Sequence, residues 1–330
     1  MHERFDKTGF LFALGFIVLV VFSVFTAKFY GNFLGEVLFP PAVYVRSEST
    51  ANVSRGKVEE IQPIKLAFVG DIMLDRGPEM RINKLADGDY KFPFLLIADE
   101  ISKYDFLFGN LEGPMSDVGQ DTGKSISFRF DEKGIDGLKY AGFDALSVAN
   151  NHAGDWGRAA WEDTVLNLEN GGIVPVGHNL DPQIVDVKGI KLALLAFQDF
   201  PQVSMQATDE NIITALNNAR GKADLIIVSF HFGEEYQKKS NARQQYLARL
   251  AVDNGASLVI GHHPHVTQET EEYNGAVIDY SVGNFIFDQY FSAETMRGEL
   301  LEVEIVDKKI ATYKTREFKI NKDFQPSFVD

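Results

Sequence analysis

The sequence predicts an α/β fold, with mixed sheets flanked by helices, and three observations carry that prediction. Short apolar runs with the look of buried strands alternate with segments of helical period. Three further stretches read as hairpins, one of them turning on Asn274-Gly275, a strong hairpin dipeptide. No internal repeat interrupts this order, so a single soluble domain is expected over residues 63–330, its last clear element ending near Phe318.

Ahead of that domain, residues 8–27 (TGFLFALGFIVLVVFSVFTA) carry no charge. At 1.5 Å per residue such a helix matches a hydrocarbon layer of about 30 Å. A cleavable signal peptide is the rival reading, but cleavage after Ala27 would put Phe25 where a small residue is needed. An uncleaved single-pass anchor is therefore expected, with the short tail inside and the large domain outside the cell membrane. The first 46 residues form this anchor and an apolar, proline-containing membrane-proximal stretch. Residues 47–62 are polar and read as a tether.

Buried strands are expected at Ile64–Gly70, Asp105–Asn110, Asp144–Asn150, Leu225–His231 and Ser257–His262. Helices are expected at Trp161–Asn170, Ile212–Arg220 and Asn241–Asn254. The hairpins are Val185–Phe197, turning at Lys188-Gly189, then Thr267–Phe285, then Gly298–Phe318, turning near Asp307-Lys308.

Composition narrows the chemistry. There is no cysteine, which removes disulfides, thiolate ligands and thiol nucleophiles, so any metal must be held by nitrogen and oxygen. A net charge of −15 gives no field to draw nucleic acid, and an anionic substrate would need a local cation. No nucleophile elbow, P-loop or dinucleotide fingerprint is present.

The informative pattern lies at the strand ends. The five runs lead into GDIMLD, GNLEGP, ANNHAGD, SFHFGEE and GHHPH, each delivering carboxylate, amide or imidazole groups. In α/β sheets that edge is where loops converge on ligands. Five of the seven histidines fall there: His152, His231, His262, His263 and His265. Such a set suits Mn, Zn, Fe or Mg. Asp75 is either a ligand or a helix cap, and the Arg-Gly-Pro after it favours the cap. Glu234 and Glu235 read as an exposed pair, Asp155 as a turn residue, and Gly283 as a point of close backbone approach.

GDIMLDRG, GNLEGP, ANNHAGDWG, SFHFGEEY, IGHHPH and YSVGNFIFD, in that order over about Ile64 to Asp288, resemble the capsule-biosynthesis CapA/PgsA-type family. The resemblance implies a metallophosphoesterase-like αββα sandwich, related to the calcineurin-like enzymes, and a role in poly-γ-glutamate synthesis or export. It implies metal ligation by Asp71, Glu112, Asn151, His231, His263 and His265, with one or two divalent ions, and catalysis by Asp71 and His152, the latter as proton donor. Two departures stand out: Met73 occupies the place of a histidine, and Glu112 that of a second aspartate. The implied partners are an anionic polymer or phosphoester, the membrane, and other capsule-synthesis subunits. The alternative is a metal-dependent polymer-binding or assembly component without turnover.

Overall fold

The computed structural model describes residues 62–201 and 203–329. The apolar segment 8–27 and the tether lie outside them, apart from Gln62. Among the described residues no helix is long and apolar enough to cross a membrane.

The first half of the domain comprises β1 (Ile64–Ile72), α1 (Arg76–Ala86), α2 (Ala98–Ile101), β2 (Phe106–Leu111), α3 (Gly134–Ala141), β3 (Ala145–Ser147), α4 (Gly157–Gly171) and β4 (Val174–Val176). Then follow β5 (Gln183–Val187), β6 (Ile190–Gln198), α5 (Asp209–Ala219), β7 (Leu225–His231), α6 (Ala242–Asp253) and β8 (Leu258–His262). The chain finishes with β9 (Thr270–Tyr273), β10 (Ala276–Asp279), β11 (Asn284–Ile286), β12 (Arg297–Val306), β13 (Lys309–Ile320) and β14 (Pro326–Phe328).

Two sheets result. The first runs β14-β13-β12-β1-β2-β3-β4, with β11 also paired to β1, and the second runs β5-β6-β7-β8-β10-β9. Strand side chains alternate between faces, and in the central strands both faces are apolar. On β1, Leu66 and Phe68 enter the layer between the sheets, whereas Ala67 and Val69 face the helix side. On β6, Leu192 and Leu194 meet that same inner layer, whereas Ala193 and Leu195 lie against α5 and α6. Ile82, Ile101, Leu138 and Leu168 from α1–α4 close the outer face of the first sheet. The order of layers is helix, sheet, sheet, helix, and each large aliphatic side chain so buried contributes about 1.5–3 kcal/mol.

The expected strands and helices all occur, with ends shifted. Asn241 caps α6 in a reciprocal pair with Gln244, and Asp75 caps α1 by accepting from the Arg76 amide. Turns at Lys188-Gly189, Asn274-Gly275 and Asp307-Lys308 all have positive φ at both residues, as tight hairpins require.

Two expectations need correction. The strand expected over Asp144–Asn150 is regular only through Ser147; beyond it the Asn150 side-chain amide donates across to the Leu111 carbonyl at 2.8 Å. The hairpin expected to run to Phe285 leaves the second sheet at Asp279, and its continuation joins the first sheet as β11. Glycine permits this transfer: a Cβ on Gly70 would stand 1.8 Å from the Gly283 carbonyl oxygen.

Candidate metal centre

Register places one polar row at the end of each sheet. Across β11, β1, β2 and β3, Asn284 faces Asp71, Asp71 faces Asn110, and Asn110 faces Ser147. Across β6, β7 and β8, Gln198 faces His231 and His231 faces His262. All seven are buried. Parallel strands point their carboxyl ends the same way, so the loops that follow converge above these rows.

Those loops supply the rest. Glu112 follows β2 directly, Asn151 and His152 follow β3, and His263 and His265 follow β8. His263 and His265 hold left-handed backbones, φ 97° and 57°. For non-glycine residues that conformation costs about 1–3 kcal/mol each and persists where surrounding structure enforces it. Here the turn brings the His263 amide to Asp71 Oδ2 at 3.3 Å.

Asp71 sits at the middle. Its Oδ1 accepts from Asn110 Nδ2 at 2.8 Å and lies 3.5 Å from His262 Nδ1; its Oδ2 lies 3.3 Å from His265 Nδ1. Glu112 Oε1 is 3.6 Å from His265 Nε2 and 4.0 Å from His152 Nε2. His231 Nε2 meets Asn151 Oδ1 at 2.9 Å. One donor atom each from Asp71, Glu112 and His265 falls within 4.8 Å of the others, and the same holds for Glu235, His263 and His265. His265 is common to both groups. Aromatic rings surround the cluster, with Phe128 4.1 Å from the His152 ring, Phe200 4.4 Å from His263, and Phe287 4.7 Å from His265.

Thus Asp71, Glu112, Asn151, His152, His231, His263 and His265, all singled out in the sequence, lie together. Three assignments change. Asp155 is more than a turn residue: its buried carboxylate binds His152 Nδ1 at 2.7 Å, Lys124 Nζ at 2.7 Å and the Phe128 amide at 2.8 Å. Glu235, read as half of an exposed pair, is exposed but reaches His263 and His265, whereas Glu234 binds Asn241 outside the cluster. Asn284, whose Oδ1 is 2.9 Å from His265 Nδ1, carried no signal beyond its place after a glycine. Asp75 is a cap, accepting also from the Arg129 amide at 2.9 Å.

The electrostatics suit a cation. Burial opposes ionisation of Asp71, yet contacts with His262 and His265 hold its carboxyl well below the usual range. Burial, followed by the charges of Asp71 and Glu235, pushes Glu112 well above it. Burial and neighbouring imidazoles depress His231 and take His263 down to about 3, so both are neutral at pH 7 with a lone pair to give. Both Glu112 oxygens, both His262 ring nitrogens and His263 Nδ1 are buried without a hydrogen-bond partner. Buried polar groups are rarely left so, and nitrogen and carboxylate donors without thiols fit a borderline or hard divalent ion.

Glu112 therefore opposes folding of the metal-free protein. With its folded pKa raised, stability is greatest below the unfolded carboxylate value of 4.5 and falls as pH climbs towards the folded value. Glu112→Gln removes that loss. In EDTA at pH 7 the variant should melt several degrees above the parent, a gain of about 1–3 kcal/mol. With metal added the order should reverse. Thermal melts with and without chelator check both signs, and a variant less stable in EDTA would show that Glu112 is satisfied without a cation.

Fold and site together define a four-layer α/β protein with a buried carboxylate–imidazole–amide cluster where two sheets end. Residues 65–289 match the model of the bacterial capsule synthesis protein PGA_cap, and the chain belongs to that family. It is 34% identical over 290 residues to the capsule biosynthesis protein CapA of Bacillus anthracis, covering 81% of this chain and 69% of that one. It is also 34% identical over 246 residues to the PGA biosynthesis protein CapA of Bacillus subtilis strain 168, covering 68% of this chain and 64% of that one. Among solved structures it is similar to a putative 5'-nucleotidase from Staphylococcus aureus, at 13% identity and TM-score 0.48, over 81% of this chain and 54% of that one.

Proposed function

We propose that this protein is a metal-dependent hydrolase or transferase acting on a phosphoester-like bond during synthesis or export of a poly-γ-glutamate capsule. Its apolar N-terminal segment holds it at the cell membrane with the domain outside, where other capsule-synthesis subunits are its partners. The observation that carries the reading is Glu112: a buried carboxylate with no hydrogen-bond donor, 3.6 Å from His265 and grouped with Asp71.

Asp71, Glu112, Asn151, His231, His263 and His265 would hold one or two divalent ions, with Glu235 at the rim. Bound there, such ions supply Lewis-acid activation of water and neutralise charge on the phosphoryl oxygens. The chain's own residues do the rest. Asp155 accepts from His152 Nδ1, which fixes the ring; in the imidazolium form the Nε2–H, beside Glu112, is then the proton given to the leaving oxygen. Phe128, packed on the same ring, keeps it in that orientation and excludes water from one face.

The test is metal content of the purified full chain beside its phosphoesterase activity. One or two equivalents of transition metal and chelator-sensitive turnover support the enzyme. No bound metal after loading with Mn, Zn and Fe rules it out.

A second reading rests on Met73. Its side chain is buried in the core on the helix side of the first sheet and gives nothing to the cluster. One donor fewer favours a site that binds metal and polymer without turnover. Metal-dependent binding of poly-γ-glutamate, with no phosphoesterase activity, would select this reading.

A further inference from the structure

Beside the cluster lies a cavity of about 480 Å³ whose lining includes His152, His265, Glu235, Phe128, Phe287 and Arg76. Arg76 is the only permanent cation among the described residues that line it. In a chain of net charge −15, that makes it the one permanent side-chain cation that an anionic substrate meets among the described residues of this lining.

Several features place the guanidinium there. Arg76 opens α1 with a left-handed backbone, φ 50°, a conformation non-glycine residues seldom adopt. Its Nη2 is bound by Asp288, whose other oxygen accepts from the Gly77 amide at 3.2 Å. Asp288 packs so closely on this turn that a Cβ on Gly77 would come within 2.7 Å of it. The guanidinium lies 4.8 Å above the Phe128 ring, and Phe128 in turn packs on His152. The side chain is still 40% exposed, and its Nε and Nη1 make no hydrogen bond to the described residues. A planar fork with donors to spare is suited to a carboxylate.

We infer that Arg76 is a substrate-recognition residue of this site, and that it reads a carboxylate carried by the substrate next to the reacting group. This rests on the cluster's being where that substrate reacts, as proposed above. Asp288 holds the guanidinium in place and competes with the incoming carboxylate. Exposed Tyr290 and Phe291 at the cavity mouth offer apolar surface to the methylenes between successive carboxylates of a polymer. Arg76 acts in binding and makes no bond to the reacting atoms.

The experiment is calorimetric titration of the full chain with a γ-linked glutamate pentamer, repeated with inorganic phosphate and repeated in EDTA. Arg76→Gln should weaken pentamer binding about tenfold or more, with metal content equal to the parent's. Arg76→Gly, which relieves the left-handed strain and so protects folding, should do the same. Asp288→Asn keeps an acceptor for the Gly77 amide but removes the competing charge, and should tighten binding about threefold. Equal pentamer affinity in parent and Arg76 variants overturns the inference, as does a parent that does not bind the pentamer. Arg76-dependent binding of phosphate but not of the pentamer overturns the carboxylate assignment. Because the Arg76 difference should persist in EDTA, its failure is distinguishable from a failure to bind metal.

Discussion

Replacing Asp71 with Ala should leave less than about a tenth of an equivalent of metal and lower phosphoester turnover by about 10³-fold or more. Asp71 lies within reach of His262, His263 and His265 from one sheet, and of Asn110 and Asn284 from the other. It is the member of the cluster whose negative charge the surroundings favour, and a divalent ion without it would face mostly neutral donors. Any rise in melting temperature on adding metal, which reports binding to the folded state, should vanish as well. Elemental analysis and thermal melts check both results. An alanine variant with the parent's metal content would place the ion elsewhere.

His152→Ala should separate chemistry from binding. Its Nδ1 is committed to Asp155, and its Nε2 stands 4.0 Å from Glu112 at the cavity wall, so in the proposed mechanism its loss removes the proton donor and none of the proposed ligands. Turnover should fall by about 10²–10⁴-fold, the usual range for general acid catalysis, while metal content stays at the parent's level. Asp155→Asn should give a smaller fall with metal retained, because the ring loses its orienting charge but keeps its place. Turnover undiminished in the alanine variant would assign the proton to another group.

Much of this was legible in the sequence because the central strands of both sheets are buried on both faces. A strand such as Leu225–His231 then reads as a largely apolar run that stops at a ligand-type residue, and five such runs mark the site. Position along the chain could be read; partnership across the fold could not. Asp155 sits in a turn sequence that explains it locally, and only its 2.7 Å contact with His152 shows a second role. Asn284 enters the site because β11 changes sheets, which depends on the missing Cβ of Gly70, more than two hundred residues earlier in the chain. Short elements such as β4, with three residues, are too brief to show a period.

The joining of β11 to β1 has a consequence for the life of the chain. Asp71 is 192 residues from His263 in sequence, and its neighbour Asn284 comes later still. A nascent or partly folded chain with only one sheet formed brings together only half of the proposed ligands. An ion held as proposed would therefore be loaded among the last events of maturation, in the compartment where the chain completes its fold.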